Sequence, residues 1–130
     1  MEQFSQNPFQ PGVRQAVFNP DQLIAGPLQT VTDTCVIAQA GILKRGAVLG
    51  KITGSGEYVL SRKGAADGSE IPCAILADDV NTTSGSVSGG VYLMGEFNQN
   101  RIIHDESWTA AELKDALRKF SVFLRDSVQA

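Results

Sequence analysis

The stretch from Lys44 to Val80, KRGAVLGKITGSGEYVLSRKGAADGSEIPCAILADDV, constrains the fold most, because three short apolar runs alternate there with glycine-containing connections. The runs Ala47–Thr53, Glu57–Ser61 and Ile71–Ala77 are each of strand length. They are rich in Val, Ile, Leu and Tyr, which suit a pleated, half-buried surface, and they predict the strands of a sheet core. Gly54-Ser55-Gly56 joins the first two runs by a connection that accepts positive φ without a Cβ clash, which predicts a tight hairpin. Pro72 removes a ladder donor from the third run and puts that part of the strand at an edge or a bulge.

The flanking segments extend this pattern. Thr30 to Ala38 alternates imperfectly, with Val31, Asp33, Cys35 and Ile37 on one side and Thr30, Thr32, Thr34 and Val36 on the other, and reads as a strand near a sheet edge. Lys63-Gly64 and Asp67-Gly68-Ser69 mark a loop. The small, polar segment Asn81 to Gly90 reads as a loop with an exposed, mobile tip, and Val91 to Phe97 as a returning strand. Thr109 and Glu112 have the spacing of a capping box, and Trp108 is placed to staple onto Leu113. Leu113, Ala116, Leu117 and Phe120 then share one helical face, while Lys114, Asp115, Arg118 and Lys119 cover the other. Periodicity leaves Ser121 to Arg125 open between more helix and a closing strand. The expected class is α+β: a compact, mostly antiparallel β core, one late α-helix and an extended N-terminal arm.

The arm is expected over residues 1–27, with the β-rich domain over 28–130. Four of the five prolines (Pro8, Pro11, Pro20 and Pro27) fall in the first 27 residues, and each biases its neighbourhood away from helix. Such a segment is expected to be disordered alone and to order on a partner, where spaced aromatics supply buried area and the extended backbone supplies hydrogen bonds.

A chain of 130 residues suits one domain that buries roughly two-thirds of its unfolded surface, so its core needs neither metal nor disulfide. Eleven Lys and Arg against fourteen Asp and Glu, without a block of like charge, argue against a general nucleic-acid binder. Cys35 and Cys73 sit in apolar runs without CxxC spacing and read as buried thiols rather than a disulfide. The opening MEQFSQNPFQPG has neither a basic region nor an apolar span, so no signal peptide or membrane partner is expected.

Candidate chemistry is sparse. Gly46 to Thr53 approaches a phosphate-binding loop, but three residues rather than four separate its glycines and Ile52 follows Lys51. The single histidine, His104, precedes Asp105 and Glu106, yet has no second soft ligand nearby in sequence, and reads as part of a solvated loop. Asp78-Asp79 reads as a solvated strand end, and Asn81-Thr82-Thr83 as a chance glycosylation match. No catalytic residue, cofactor or metal ligand is expected.

The ordered segments FNPDQLIAGP, RGAVLGKIT, a Tyr-containing strand, AADGS, AILADDV and VYLMGEFN resemble the tailed-bacteriophage head decoration (capsid cementing) proteins, the phage lambda head decoration protein D-like family. The likeness runs from about Phe18 to the late helix. It implies a structural protein, not an enzyme, that binds the outer surface of the expanded capsid as trimers at threefold and quasi-threefold sites and stabilises it against internal DNA pressure. The implied partners are the major capsid protein and further copies of the chain. The implied location is the capsid exterior of the virion, reached from the host cytoplasm during assembly. An arm ordering against the capsid makes Phe4, Phe9, Val13, Arg14, Val17 and Phe18 the expected capsid-binding residues. An alternative reading is a small biotinyl-like carrier or a β-clip ligand-binding domain, for which Lys63 beside Gly64 is the nearest hairpin-tip lysine.

Overall fold

All three apolar runs form strands in the computed structural model, which describes residues 22–126. In chain order the strands are β1 (Val31–Ile37), β2 (Ile42–Leu43), β3 (Val48–Lys51), β4 (Tyr58–Leu60), β5 (Pro72–Leu76), β6 (Val80–Asn81), β7 (Val87–Asn98) and β8 (Val122–Arg125); helix α1 (Ala110–Arg118) precedes the last. Strands β3 and β4 make the expected hairpin, with Leu49 opposite Leu60 and Lys51 opposite Tyr58. Ile52 donates to Glu57 O and Gly56 donates to Ile52 O, both at 2.8 Å. The connection is therefore residues 53–56, one residue longer than expected. Across β3 and β5 the register passes from Leu49–Ala74 to Gly50–Pro72, so Cys73 is an extra, bulged residue and Pro72 sits where the ladder is already broken.

The main sheet has six strands in the order β1-β4-β3-β5-β7-β8, and β1 also pairs with β7, which closes a small barrel. That pairing is antiparallel from Val31–Met94 to Ile37–Val87, whereas β1 meets β4 in parallel at Ile37–Tyr58. The edge expected at β1 thus survives on one side only. Strand β8 lies parallel to the far half of β7, from Gly95–Val122 to Asn98–Arg125, which makes Val122 to Arg125 a closing strand entered through Ser121.

One expectation needs correction at β7. The mobile loop expected from Asn81 to Gly90 is much shorter, because Val80 and Asn81 pair with Leu43 and Ile42 and β7 begins at Val87. Gly89 belongs in the strand because closure brings β1 and β6 against it: a Cβ there would lie 3.0 Å from Val80 Cγ1 and 3.2 Å from Ile37 Cγ1. Thr82, inside the remaining turn, is fully buried.

The central strands are buried on both faces rather than half-buried. Alternation sends Leu49, Ala74, Leu76 and Val91 into the barrel interior with Ile37, and sends Val48, Ile75 and Tyr92 outward into a second core with Phe97, Leu113, Leu117, Val122 and Leu124. Helix α1 and β8 cover that outward face. The capping box forms as expected: Thr109 Oγ1 accepts from Glu112 N at 3.2 Å and Glu112 Oε1 accepts from Thr109 N at 3.1 Å. Trp108 packs on the same core as Leu113. Phe120, expected on the apolar face, is instead 39% exposed. The helix stops at Arg118, and Ser121 at φ 64° turns the chain into β8 before the stripe reaches Phe120.

Candidate interaction surface at the root of the N-terminal segment

Residues 22–28 run along the half of β7 that also carries β8. Leu23 O accepts from Asn98 N at 2.7 Å, Ala25 N donates to Glu96 O at 2.9 Å, and Ile24 bridges Phe97. Leu23 is 1% exposed, within the outer core. Residues 22–27, expected as part of the arm, are therefore seated on the domain.

Glu96 ties this segment down. Its Oε1 accepts from Leu28 N at 2.9 Å, and its Oε2 accepts from Arg125 Nη1 at 2.6 Å. The Leu28 amide, followed by Arg125, holds the Glu96 carboxyl below the usual glutamate range. Gly26 passes directly over it: a Cβ there would lie 2.2 Å from Glu96 Oε1, so a larger residue would have to displace the carboxylate. One carboxylate thus joins the N-terminal segment, β7 and β8.

Beside this tie, half-buried Phe123 is shared by three adjoining depressions. One is completed by Pro27, Leu28 and Glu96. The second includes Lys114, Arg118, Arg125 and Asp126, and the third Asp115, Arg118 and Lys119. Sequence reasoning placed Lys114, Arg118 and Lys119 on the solvated helix face, but only the turn into β8 brings an aromatic side chain among them.

The other candidate chemistry disperses. Lys51 ends β3, so its backbone belongs to a ladder and not to an anion-binding loop. His104 Nδ1 contacts Asp105 O at 2.9 Å, while the Asp105 carboxylate accepts from Ser107 N at 3.1 Å. The Ser107 hydrogen bonds chiefly lower the Asp105 pKa. Asp79 accepts from Arg45 N at 2.7 Å and lies 3.8 Å from Lys44 Nζ. Lys63 is paired with Glu112 and stands 5.7 Å over the Trp108 ring, so it is held against the helix start rather than presented as a carrier lysine. Cys35 and Cys73 are free and half-buried, and burial is the main cause pushing each thiol pKa up. Among the described residues no group of three or more His, Cys, Asp or Glu is placed to hold a metal ion. No helix there is long and apolar enough to cross a membrane.

The family model described as bacteriophage lambda head decoration protein D matches residues 13–123. The chain belongs to that family. Head decoration proteins are structural components of the phage capsid rather than an enzyme family. No curated protein matches the chain. The family match includes Val13, Arg14, Val17 and Phe18 and begins after Phe4 and Phe9. All six expected capsid-binding residues lie outside the described residues; their root, from Leu23 onward, lies within them.

Proposed function

We propose that the protein binds the outer surface of the expanded capsid as trimers at threefold and quasi-threefold sites, and stabilises the shell against the pressure of packaged DNA. The family match over residues 13–123 carries this reading. The tied root at Glu96 supports an arm that works from a defined point: Phe4, Phe9, Val13, Arg14, Val17 and Phe18 contact the major capsid protein, and ordering costs are met only where a capsid strand and pockets receive them. Neighbouring copies complete the trimer on the shell, after synthesis in the host cytoplasm. Many modest contacts repeated over a symmetric lattice then oppose expansion.

The test mixes the purified protein with unexpanded and expanded shells, alongside a variant lacking residues 1–17. Binding confined to expanded shells, with affinity lost on deletion and thermal stability kept, is expected, since four widely spaced apolar residues among prolines and glutamines contribute little to a core. Equal affinity for both shells would sink the maturation-specific reading. Full affinity after deletion would remove the arm's role.

A further inference from the structure

Lys114 and Arg118 on the solvent face of α1 and Lys119 at its C-cap stand exposed, and none has an ion-pair partner among the described residues. The whole chain carries a formal charge of −3, so this cluster reverses its average character. Arg125, the adjacent cation, is already engaged by Glu96. Phe123 gives the cluster a half-buried apolar floor, and Pro27 and Leu28 continue it towards the root of the arm.

We propose that this surface receives an acidic, extended segment of the capsid subunit, with carboxylates against Lys114, Arg118 and Lys119 and an apolar side chain on Phe123. The inference rests on the capsid-binding reading and adds a second contact, separate from the arm. Charge complementarity chooses the occupant. A nucleic-acid backbone would meet the carboxylates of Asp115 and Asp126 on the same rim, whereas a peptide of mixed character can place its acids and avoid them. Because the depressions begin beside Pro27 and Leu28, a segment seated on Phe123 lies next to the seated segment 22–28 that continues into the arm, and two contacts on one chain raise each other's effective concentration.

The experiment uses the full chain, expanded shells of the same phage, and the double variant Lys114→Glu/Arg118→Glu, with Lys44→Glu as a charge control elsewhere. Both substituted helix side chains are exposed, so the fold should be kept, and the melting temperature should fall by no more than a few degrees, because Arg118 sits in the last helical turn, where a cation is favoured and a carboxylate is not. At low salt the double variant should associate about tenfold more slowly, the gap closing near 0.5 M salt, where screening shortens the reach of exposed charges to about 4 Å. Carbodiimide coupling of the wild-type complex should join Lys114 or Lys119 to Asp or Glu of the capsid subunit. Equal binding of wild type and double variant overturns the inference while the capsid-binding reading stands. Cross-links leading only to other copies of this chain, or tight duplex-DNA binding abolished in the double variant, overturn it in favour of those occupants. Failure of the wild type to bind shells overturns both readings.

Discussion

Replacing Thr82 by Val separates an anchored turn from the mobile loop that its Asn-Thr-Thr-Ser-Gly-Ser surroundings suggest. The Thr82 hydroxyl accepts from Ala40 N at 2.8 Å and Gly41 N at 3.0 Å and donates to Gly41 O at 2.7 Å, while the residue itself is fully buried. Val keeps the shape and deletes the oxygen, so the two amides lose their acceptor. Gly41 O keeps the Thr82 amide at 2.7 Å. A net hydrogen bond contributes about 0.5–1.5 kcal/mol, and Ala40 is exposed enough for water to take over part of its bond, which puts the expected loss at about 1–3 kcal/mol. For a domain between the usual size classes this is a drop of roughly 4–15 °C in melting temperature. Urea denaturation should show a lower midpoint with an unchanged slope. Thr82→Ser, which keeps the hydroxyl, should retain most of the stability. Thr83→Val should be nearly neutral, because that neighbour is exposed and only its backbone groups bond, to Asn81 and Gln39. Equal midpoints for Thr82→Val and Thr83→Val would refute the anchored turn.

Leu113→Ala should cost about 2–5 kcal/mol in the same assay, since Leu113 is fully buried, whereas Phe120→Ala at a 39% exposed site should cost under about 1 kcal/mol; a reversed order would put the helix stripe back where periodicity drew it. The lowered carboxyl of Glu96 stabilises the fold above its unfolded value, near 4.5, and that contribution is lost as pH falls through the folded value, so melting temperature should fall in acid and fall less steeply in Glu96→Gln; parallel pH profiles would remove Glu96 as the tie. The raised thiol pKa values of Cys35 and Cys73 predict slow reaction with a disulfide reagent at pH 7 and faster reaction as pH rises, so immediate titration of both thiols at pH 7 would contradict their burial.

The hairpin and the capping box were legible because each depends on residues within a few positions of one another. The barrel was less so. Val87 to Gly90 looks like loop until closure supplies Ile37 and Val80 beside Gly89, a contact between residues roughly fifty positions apart for Ile37. The stripe through Leu113 and Leu117 extrapolates to Phe120 only if the helix continues, and the left-handed residue that ends it is Ser121 rather than the glycine that would have announced a stop. Pro20 and Pro27 concealed Leu23 and Ile24, whose burial comes from a β7 partner more than seventy residues downstream. The charged helix face was plain from spacing, but its relation to Phe123 was not, because VFLR in β8 fits either helix or strand until β7 pairs with it.

Double-sided burial of β3, β5 and β7 has a consequence for how a bound arm would act. Those strands cannot shift register without moving side chains between two packed cores, so β7 is a stiff element. The N-terminal segment is joined to β7 through Asn98 N to Leu23 O, Ala25 N to Glu96 O and Leu28 N to the Glu96 carboxylate, and Arg125 links that carboxylate to β8. A displacement of residues 22–28 must therefore break several bonds distributed along one strand, together with the burial of Leu23. In the proposed role, load carried by the arm passes into the part of the domain least able to deform, and Gly26 matters because a side chain there would push the Glu96 carboxylate from its place at the centre of that connection.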